Sequence, residues 1–169
     1  MLIIRISVRK GEIEMNKPTL YVMVGLPGSG KTTWAKKNLK NAVYISRDEI
    51  RYSLLKDNED YFSKETEVYF TFINKIKENL LKGKNVIADA THINRASRRK
   101  LINSIRGVPA NLEAIWIDVP LERALKQNEN RTGRALVPQH AITSMKTRFE
   151  NPKKTEGFKE IRRITNDLL

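Results

Sequence analysis

The stretch Gly25-Leu26-Pro27-Gly28-Ser29-Gly30-Lys31-Thr32 constrains this chain more than any other. It fits G-x-x-x-x-G-K-[ST] and follows the apolar run Leu20-Tyr21-Val22-Met23-Val24. It leads into Thr33-Trp34-Ala35-Lys36-Lys37-Asn38-Leu39, a helix-like segment with Trp34 and Leu39 as inward-facing residues. Strand, glycine-rich turn and helix in that order are the setting of a phosphate-binding loop. Glycines let successive backbone N–H groups turn inward around a phosphate, and the new helix aims its positive end at the same anion. Lys31 then reaches the β- and γ-phosphates, and the Thr32 hydroxyl stands where Mg²⁺ needs an oxygen ligand. The competing reading is an ordinary glycine-rich turn. A chance match in a chain this long is on the order of one in a hundred at average glycine usage.

The rest of the chain supplies a sheet for that loop. Ala42–Ile45, Asn85–Thr91 and Leu112–Asp118 are solid apolar runs, not alternating ones, and helical patterns separate them. That is how a parallel sheet covered on both faces reads, so the class expected is α/β, doubly wound. Ser46 and Glu49 stand at capping-box spacing ahead of a helix. Residues 61–82 form the longest helical pattern, with Phe62, Thr66, Tyr69, Ile73, Ile76 and Leu80 as its apolar stripe and Gly83 as its stop. Periodicity assigns those aromatics to the core and not to a base-stacking platform. A basic helix carries Arg95, Arg98, Arg99 and Lys100. Pro120 opens a helix to about Asn128, and Pro138 opens another to about Glu150. Residues 158–165 carry a weak signal for an edge strand.

Two segments stand apart. Residues 1–14 begin with an apolar stretch too short for a secretory leader. They form an N-terminal extension that reads as an edge strand, as disorder, or as residues ahead of a translation start at Met15, with residues 15–169 as one domain. Glu129–Ala135 is too polar for a core and bears Arg131 and Arg134.

Composition narrows the class of partner. Lys and Arg total 32 against 19 Asp and Glu, a formal net charge of +13, which attracts polyanions: nucleic acid, an acidic membrane surface or nucleotide phosphates. No apolar run approaches the ~20 residues of a membrane span, so no membrane partner is expected. No exposed apolar stripe demands a second copy, and the oligomeric state stays open. With no cysteine, disulfides and thiolate metal sites are excluded. That suits a reducing compartment, and a cytoplasmic location is expected.

In a doubly wound sheet the ligand crevice lies beyond the carboxyl ends of the strands. That rule selects Gly25–Thr32, Arg47–Arg51, Asp89–Asn94 and the segment after Asp118. A kinase needs a carboxylate for the proton of the acceptor hydroxyl, and cations for the transferred phosphoryl. Asp48 and Arg51, three residues apart, can orient a hydroxyl and grip a phosphate, or simply start a helix. Arg131 and Arg134 read as a mobile lid over nucleotide or as a solvated loop. Asp89 can order Mg²⁺ through water or cap the loop at Thr91. His92 and His140 show no metal-ligand spacing, though His92 stands at the crevice edge.

Taken together, GLPGSGKTTWA, ISRDEIR, VIADATHIN–RASRRK, IDVPLERALKQNENRTGRALVP and MKTRFENP resemble, in unbroken order over roughly residues 19–152, the P-loop polynucleotide 5′-kinases of the bacteriophage type. The resemblance implies a P-loop NTPase-type three-layer αβα fold with a mostly parallel central sheet and an arginine-bearing lid. It implies ATP-dependent transfer of the γ-phosphoryl, with Mg²⁺, to the 5′-hydroxyl end of RNA or DNA. Gly25, Pro27, Gly28, Ser29, Gly30, Lys31, Thr32 and Thr33 would hold ATP, with Arg131 and Arg134 from the lid and Thr32 on the metal. Lys31, Asp48 and Arg131 would carry catalysis, Asp48 as general base. Asp48, Arg51, Asp89, Thr91 and His92 would face the acceptor, Arg51 gripping the phosphate beside its hydroxyl. One departure is plain: relatives often carry a second lid arginine where this chain has Gln127. Two rivals follow from the same residues: a kinase of a small molecule or an aminoacyl-tRNA, and an ATP-dependent nucleic-acid-binding switch without transfer.

Overall fold

The computed structural model describes residues 6–9, 12–15 and 17–165. Its centre is a five-stranded sheet, parallel throughout, that runs from edge to edge as Ala42–Ser46, Asn85–Asp89, Thr19–Val24, Asn111–Ile117 and Glu160–Ile164. The strands are β3 (Thr19–Val24), β4 (Ala42–Ser46), β5 (Asn85–Asp89), β6 (Asn111–Ile117) and β7 (Glu160–Ile164). Among the described residues six α-helices accompany them: α1 (Lys31–Asn38), α2 (Arg47–Leu54), α3 (Glu65–Leu81), α4 (Arg95–Ser104), α5 (Leu121–Glu129) and α6 (Gln139–Thr147). The weakly signalled edge strand is therefore present as β7. The N-terminal strands β1 (Ile6–Arg9) and β2 (Glu12–Met15) pair with each other and do not add an edge to the main sheet.

Alternation along β3 builds the two sides of a three-layer sandwich. Leu20, Val22 and Val24 point into a core closed by Val68, Phe72, Ile76 and Leu80 of α3 and Leu101 of α4. Met23 points the other way, with Ile87 and Ile115, onto Ala35 of α1, Ala124 of α5 and Ile142 of α6. Each large apolar side chain so buried contributes about 1.5–3 kcal/mol. With both faces covered, the strands have no polar face to show, which explains their unbroken apolar spelling.

Two expectations about this scaffold are corrected. Helix α3 starts at Glu65, not near residue 61, because Asp60 offers the backbone a competing partner: its carboxylate accepts the Phe62 N–H at 2.9 Å and its carbonyl accepts from Ser63 N at 3.1 Å. Phe62 and Thr66 drop out of the buried stripe, which Val68 and Phe72 join. Trp34 and Leu39 do pack inward, half-buried against the core beside the buried Lys31 and Ala35. Arg98, read from the sequence as one of four bases on a basic helix, is fully buried. Its guanidinium donates to both Glu156 oxygens at 2.8 and 2.9 Å and to the carbonyls of His92 (3.0 Å) and Glu150 (2.8 Å). A buried arginine is tolerable only with its donors so satisfied. It staples the loop after β5 to the turn before β7.

Register sets the working edge. Ser46 pairs with Asp89 and Val24 with Trp116, so the carboxyl ends of β3, β4, β5 and β6 finish together. Among the described residues no helix is long and apolar enough to cross a membrane.

Candidate active site

The loop from β3 to α1 is shaped by close approaches that exclude side chains. Gly28 has φ 79°, and a Cβ there would stand 2.1 Å from the Ala124 carbonyl oxygen of α5. At Gly25 a Cβ would meet the Ile117 carbonyl oxygen at 2.9 Å, and the Gly25 N–H donates to Thr91 O at 3.1 Å. The loop is thus wedged between the ends of β5 and β6. Pro27, Gly28 and Ser29 are buried within it, whereas Thr33 is exposed on the first turn of α1. Gly30 is the N-cap of α1, no side chain caps it, and the first turn holds no acid. The first-turn N–H groups are left for an external acceptor, and the helix dipole favours an anion.

Lys31 is buried, and its Nζ donates to the carbonyls of Gly25 (3.0 Å) and Leu26 (2.7 Å). Burial pulls its pKa down to about 8, against the pull of Asp89; Arg131 adds to the lowering and Asp48 opposes it. Asp48, Asp89 and Arg131, from three different segments, therefore share one electrostatic field with the P-loop lysine.

Next to it, Thr32 Oγ1 donates to Asp89 Oδ2 at 2.7 Å, and Tyr44 Oη donates to the same oxygen. Burial and the neighbouring Asp89 charge push the Tyr44 phenol up, so it stays protonated and a donor. A hydroxyl and a carboxylate this close are hard oxygen donors, the set that fits Mg²⁺ held by one or two protein ligands with phosphate and water supplying the rest. Among the described residues no cluster of three His, Cys, Asp or Glu offers an all-protein cage. Asp89 thus faces the P-loop side.

The residues expected on the acceptor side lie on α2, with further partners from the turn before α3 and from its first residue. Ser46 Oγ accepts the Glu49 N–H at 3.2 Å and starts α2. Asp48 is 61% exposed, while Arg51, one turn on, is nearly buried. Arg51 Nη1 donates to Asp48 Oδ1 at 2.6 Å and to Tyr61 Oη at 3.0 Å, and its Nη2 to Glu65 Oε2 at 2.6 Å. Glu65 also pairs with Arg47, whose guanidinium stacks on Tyr69. Sequence reading missed Glu65 and Tyr61. An acid in the first turn of a long helix is already explained by the dipole, so Glu65 carried no further signal.

The remaining expected residues divide. Arg131 is half-buried, bonds the Ala135 carbonyl at 3.4 Å and lies in the field of Lys31. Arg134 turns elsewhere: its Nη2 donates to the carbonyls of Lys56 (2.7 Å) and Asp57 (2.5 Å), and Tyr52 Oη donates to its own carbonyl at 3.1 Å. It joins the Glu129–Ala135 segment to α2 and the loop after it, not to the P-loop. The residue over the P-loop is Gln127, whose amide, oriented to satisfy its neighbours, donates to Gly28 O and accepts from Arg123 Nε at 3.2 Å. His92 is buried, its Nδ1 donates to Met23 O at 2.9 Å, and burial lowers its pKa to about 4. It is held as a neutral core group.

Comparison with known proteins agrees with the fold. A family model described as AAA_33, an AAA domain, matches residues 20–152. The L-seryl-tRNA(Sec) kinase of Methanococcus maripaludis is 30% identical over 143 residues, 79% of this chain and 53% of that protein. A chain of the Pnkp1/Rnl/Hen1 RNA repair complex superposes with a TM-score of 0.68 at 27% identity, covering 78% of this chain and 43% of that one. Chaetomium thermophilum Kti12, solved with ADP-AlF3, shares the fold, with a TM-score of 0.64 at 19% identity over 88% of this chain and 89% of that one. The chain spans about half or less of the length of the first two.

Proposed function

The chain belongs to the AAA_33 family of AAA domains, and from that membership and its P-loop kinase-like fold we propose that it transfers the γ-phosphoryl of ATP to the 5′-hydroxyl of a polynucleotide. One observation carries the reading. The Asp48 carboxylate, steadied by Arg51 and Tyr61, lies in the electrostatic field of Lys31 at the common strand edge. A nucleotide switch has no use for a second carboxylate held there by an arginine.

The acceptor oxygen attacks the γ-phosphorus in line, its bond to phosphorus forms while that to the β–γ bridging oxygen breaks, and ADP departs. Asp48 takes the hydroxyl proton. Arg51 grips the phosphate that follows the acceptor nucleoside, Lys31 holds the β- and γ-phosphates, and Arg131 neutralises charge on the moving group. Mg²⁺, held through Thr32 and Asp89, would screen the phosphate oxygens. The net charge of +13 suits a polyanionic acceptor.

An aminoacyl-tRNA hydroxyl is the second reading, favoured by the 30% identity to L-seryl-tRNA(Sec) kinase. Both place the hydroxyl on a nucleic acid. The test is γ-labelled ATP with Mg²⁺ and four acceptors: a 5′-hydroxyl RNA, its 5′-phosphorylated form, a seryl-tRNA, and a panel of nucleosides and sugars. Label on the 5′-hydroxyl RNA alone is expected. Label confined to seryl-tRNA transfers the assignment to the second reading, and label on a sugar alone rejects both.

A further inference from the structure

The turn ahead of α3 holds an aromatic ring out in water beside the acceptor-side cluster. Phe62 is 65% exposed, yet its backbone is tied down: its N–H goes to Asp60 Oδ1 at 2.9 Å and its carbonyl accepts from Glu65 N at 3.1 Å. One exposed phenylalanine is ordinary on a protein surface. The neighbours of this one are not. The Tyr61 ring meets it edge-on with centroids 4.9 Å apart, and Tyr52 meets Tyr61 at 6.5 Å. The Arg51 guanidinium lies 4.5 Å from the Tyr61 centroid and 5.9 Å from that of Phe62. Tyr61 Oη donates to Asp48 Oδ1 at 3.1 Å. A continuous surface thus runs from the carboxylate assigned to the acceptor hydroxyl, across Tyr61, to an open ring.

We propose that Phe62, backed by Tyr61 and Tyr52, is a ledge on which the nucleobase next to the acceptor hydroxyl stacks. A nucleoside presents a hydroxyl and a flat π face a few ångströms apart, and this surface presents a carboxylate and a flat π face in the same order. A base stacks on such a ring whatever its identity, so the ledge serves a kinase that takes ends of any sequence. A sugar without a base has nothing to place there. Arg51 links the two halves, since the cation that binds Asp48 also lies against both rings. The inference rests on the polynucleotide reading and deepens it.

Two measurements test it separately from that reading. The first is acceptor KM for wild type, Phe62→Ala, Phe62→Leu, Phe62→Trp and Phe70→Ala, using a 5′-hydroxyl RNA 8-mer and the same RNA with an abasic 5′ residue. Phe62→Ala and Phe62→Leu should raise KM for the base-bearing RNA about tenfold, Phe62→Trp should restore it, and the abasic RNA should be insensitive to position 62. Phe70, 66% exposed on α3, is the control and should change nothing. Equal KM values for base-bearing and abasic RNA in wild type overturn the ledge. The second is fluorescence quenching of 2-aminopurine placed at the 5′ or the 3′ end of an RNA, read without ATP. Quenching at the 5′ end by wild type but not by Phe62→Ala supports the ledge even if no phosphate is transferred, in which case the kinase assignment alone falls. Quenching only at the 3′ end keeps the ledge and moves the acceptor to an aminoacyl-tRNA. No quenching at either end rejects it.

Discussion

The two sides of the cleft are built by different means. The P-loop side, Gly25 to Thr32, is made of backbone: buried from Gly25 to Ser29, close against the Ile117 and Ala124 carbonyls, and carrying one buried lysine. The side proposed for the acceptor is made of side chains: Asp48, Arg51, Tyr61 and Glu65, joined across two helices and partly open to water. A backbone cradle recognises what every nucleoside triphosphate shares. A side-chain network can be rebuilt without disturbing the fold, which is how one P-loop scaffold comes to serve different acceptors.

If the two sides are separable, Asp48→Asn should cut transfer by about 10²–10⁴-fold while ATP affinity changes by less than about twofold. Single-turnover transfer and equilibrium nucleotide binding measure the two; comparable loss in both would merge the sides into one unit. Lys31→Ala is the converse variant and should weaken both.

His92 tests whether the P-loop side owes its shape to burial. Its folded pKa of about 4 is below the ordinary 6.5, so between those values the unfolded chain binds a proton that the folded one does not. Stability is therefore full above about pH 6.5 and falls as pH drops toward 4, by on the order of 3 kcal/mol. Denaturant midpoints across that window should show the decline in wild type and a flatter profile in His92→Gln.

Glu65→Gln sharpens the acceptor side. It leaves Arg47 and Arg51 without their shared counter-charge, so acceptor KM should rise about tenfold with ATP KM little changed. Equal changes in both would make Glu65 a general prop of the fold.

The smallest effect belongs to Lys31. Its charged form binds phosphate, and in the free protein it loses its proton near pH 8. ATP affinity should be flat to about pH 7 and fall about twofold by pH 8, a decline that calorimetric titration would resolve and that Lys31→Arg should abolish.

Much of the sheet was legible because its signals are local. Solid apolar runs marked β3, β4, β5 and β6, and the glycine spacing marked the loop, since a strand needs only its own side-chain pattern and a cradle only its own φ angles. Errors came where a single turn residue overruled periodicity: Asp60 delayed α3 and put Phe62 in water. A distant partner, Glu156, drew Arg98 inward from a helix spelled with four bases. The turn of Arg134 toward Lys56 and Asp57, some 78 residues away, left no trace in the sequence around it.

The sequence alone determined the parallel α/β class and the anion-binding loop, both set by neighbours along the chain. Only the tertiary structure decided what stands opposite that loop. Glu65 meets Arg47 from 18 residues away and Tyr44 meets Asp89 from 45, and such pairs exist only once packing has brought their helices and strands to one edge.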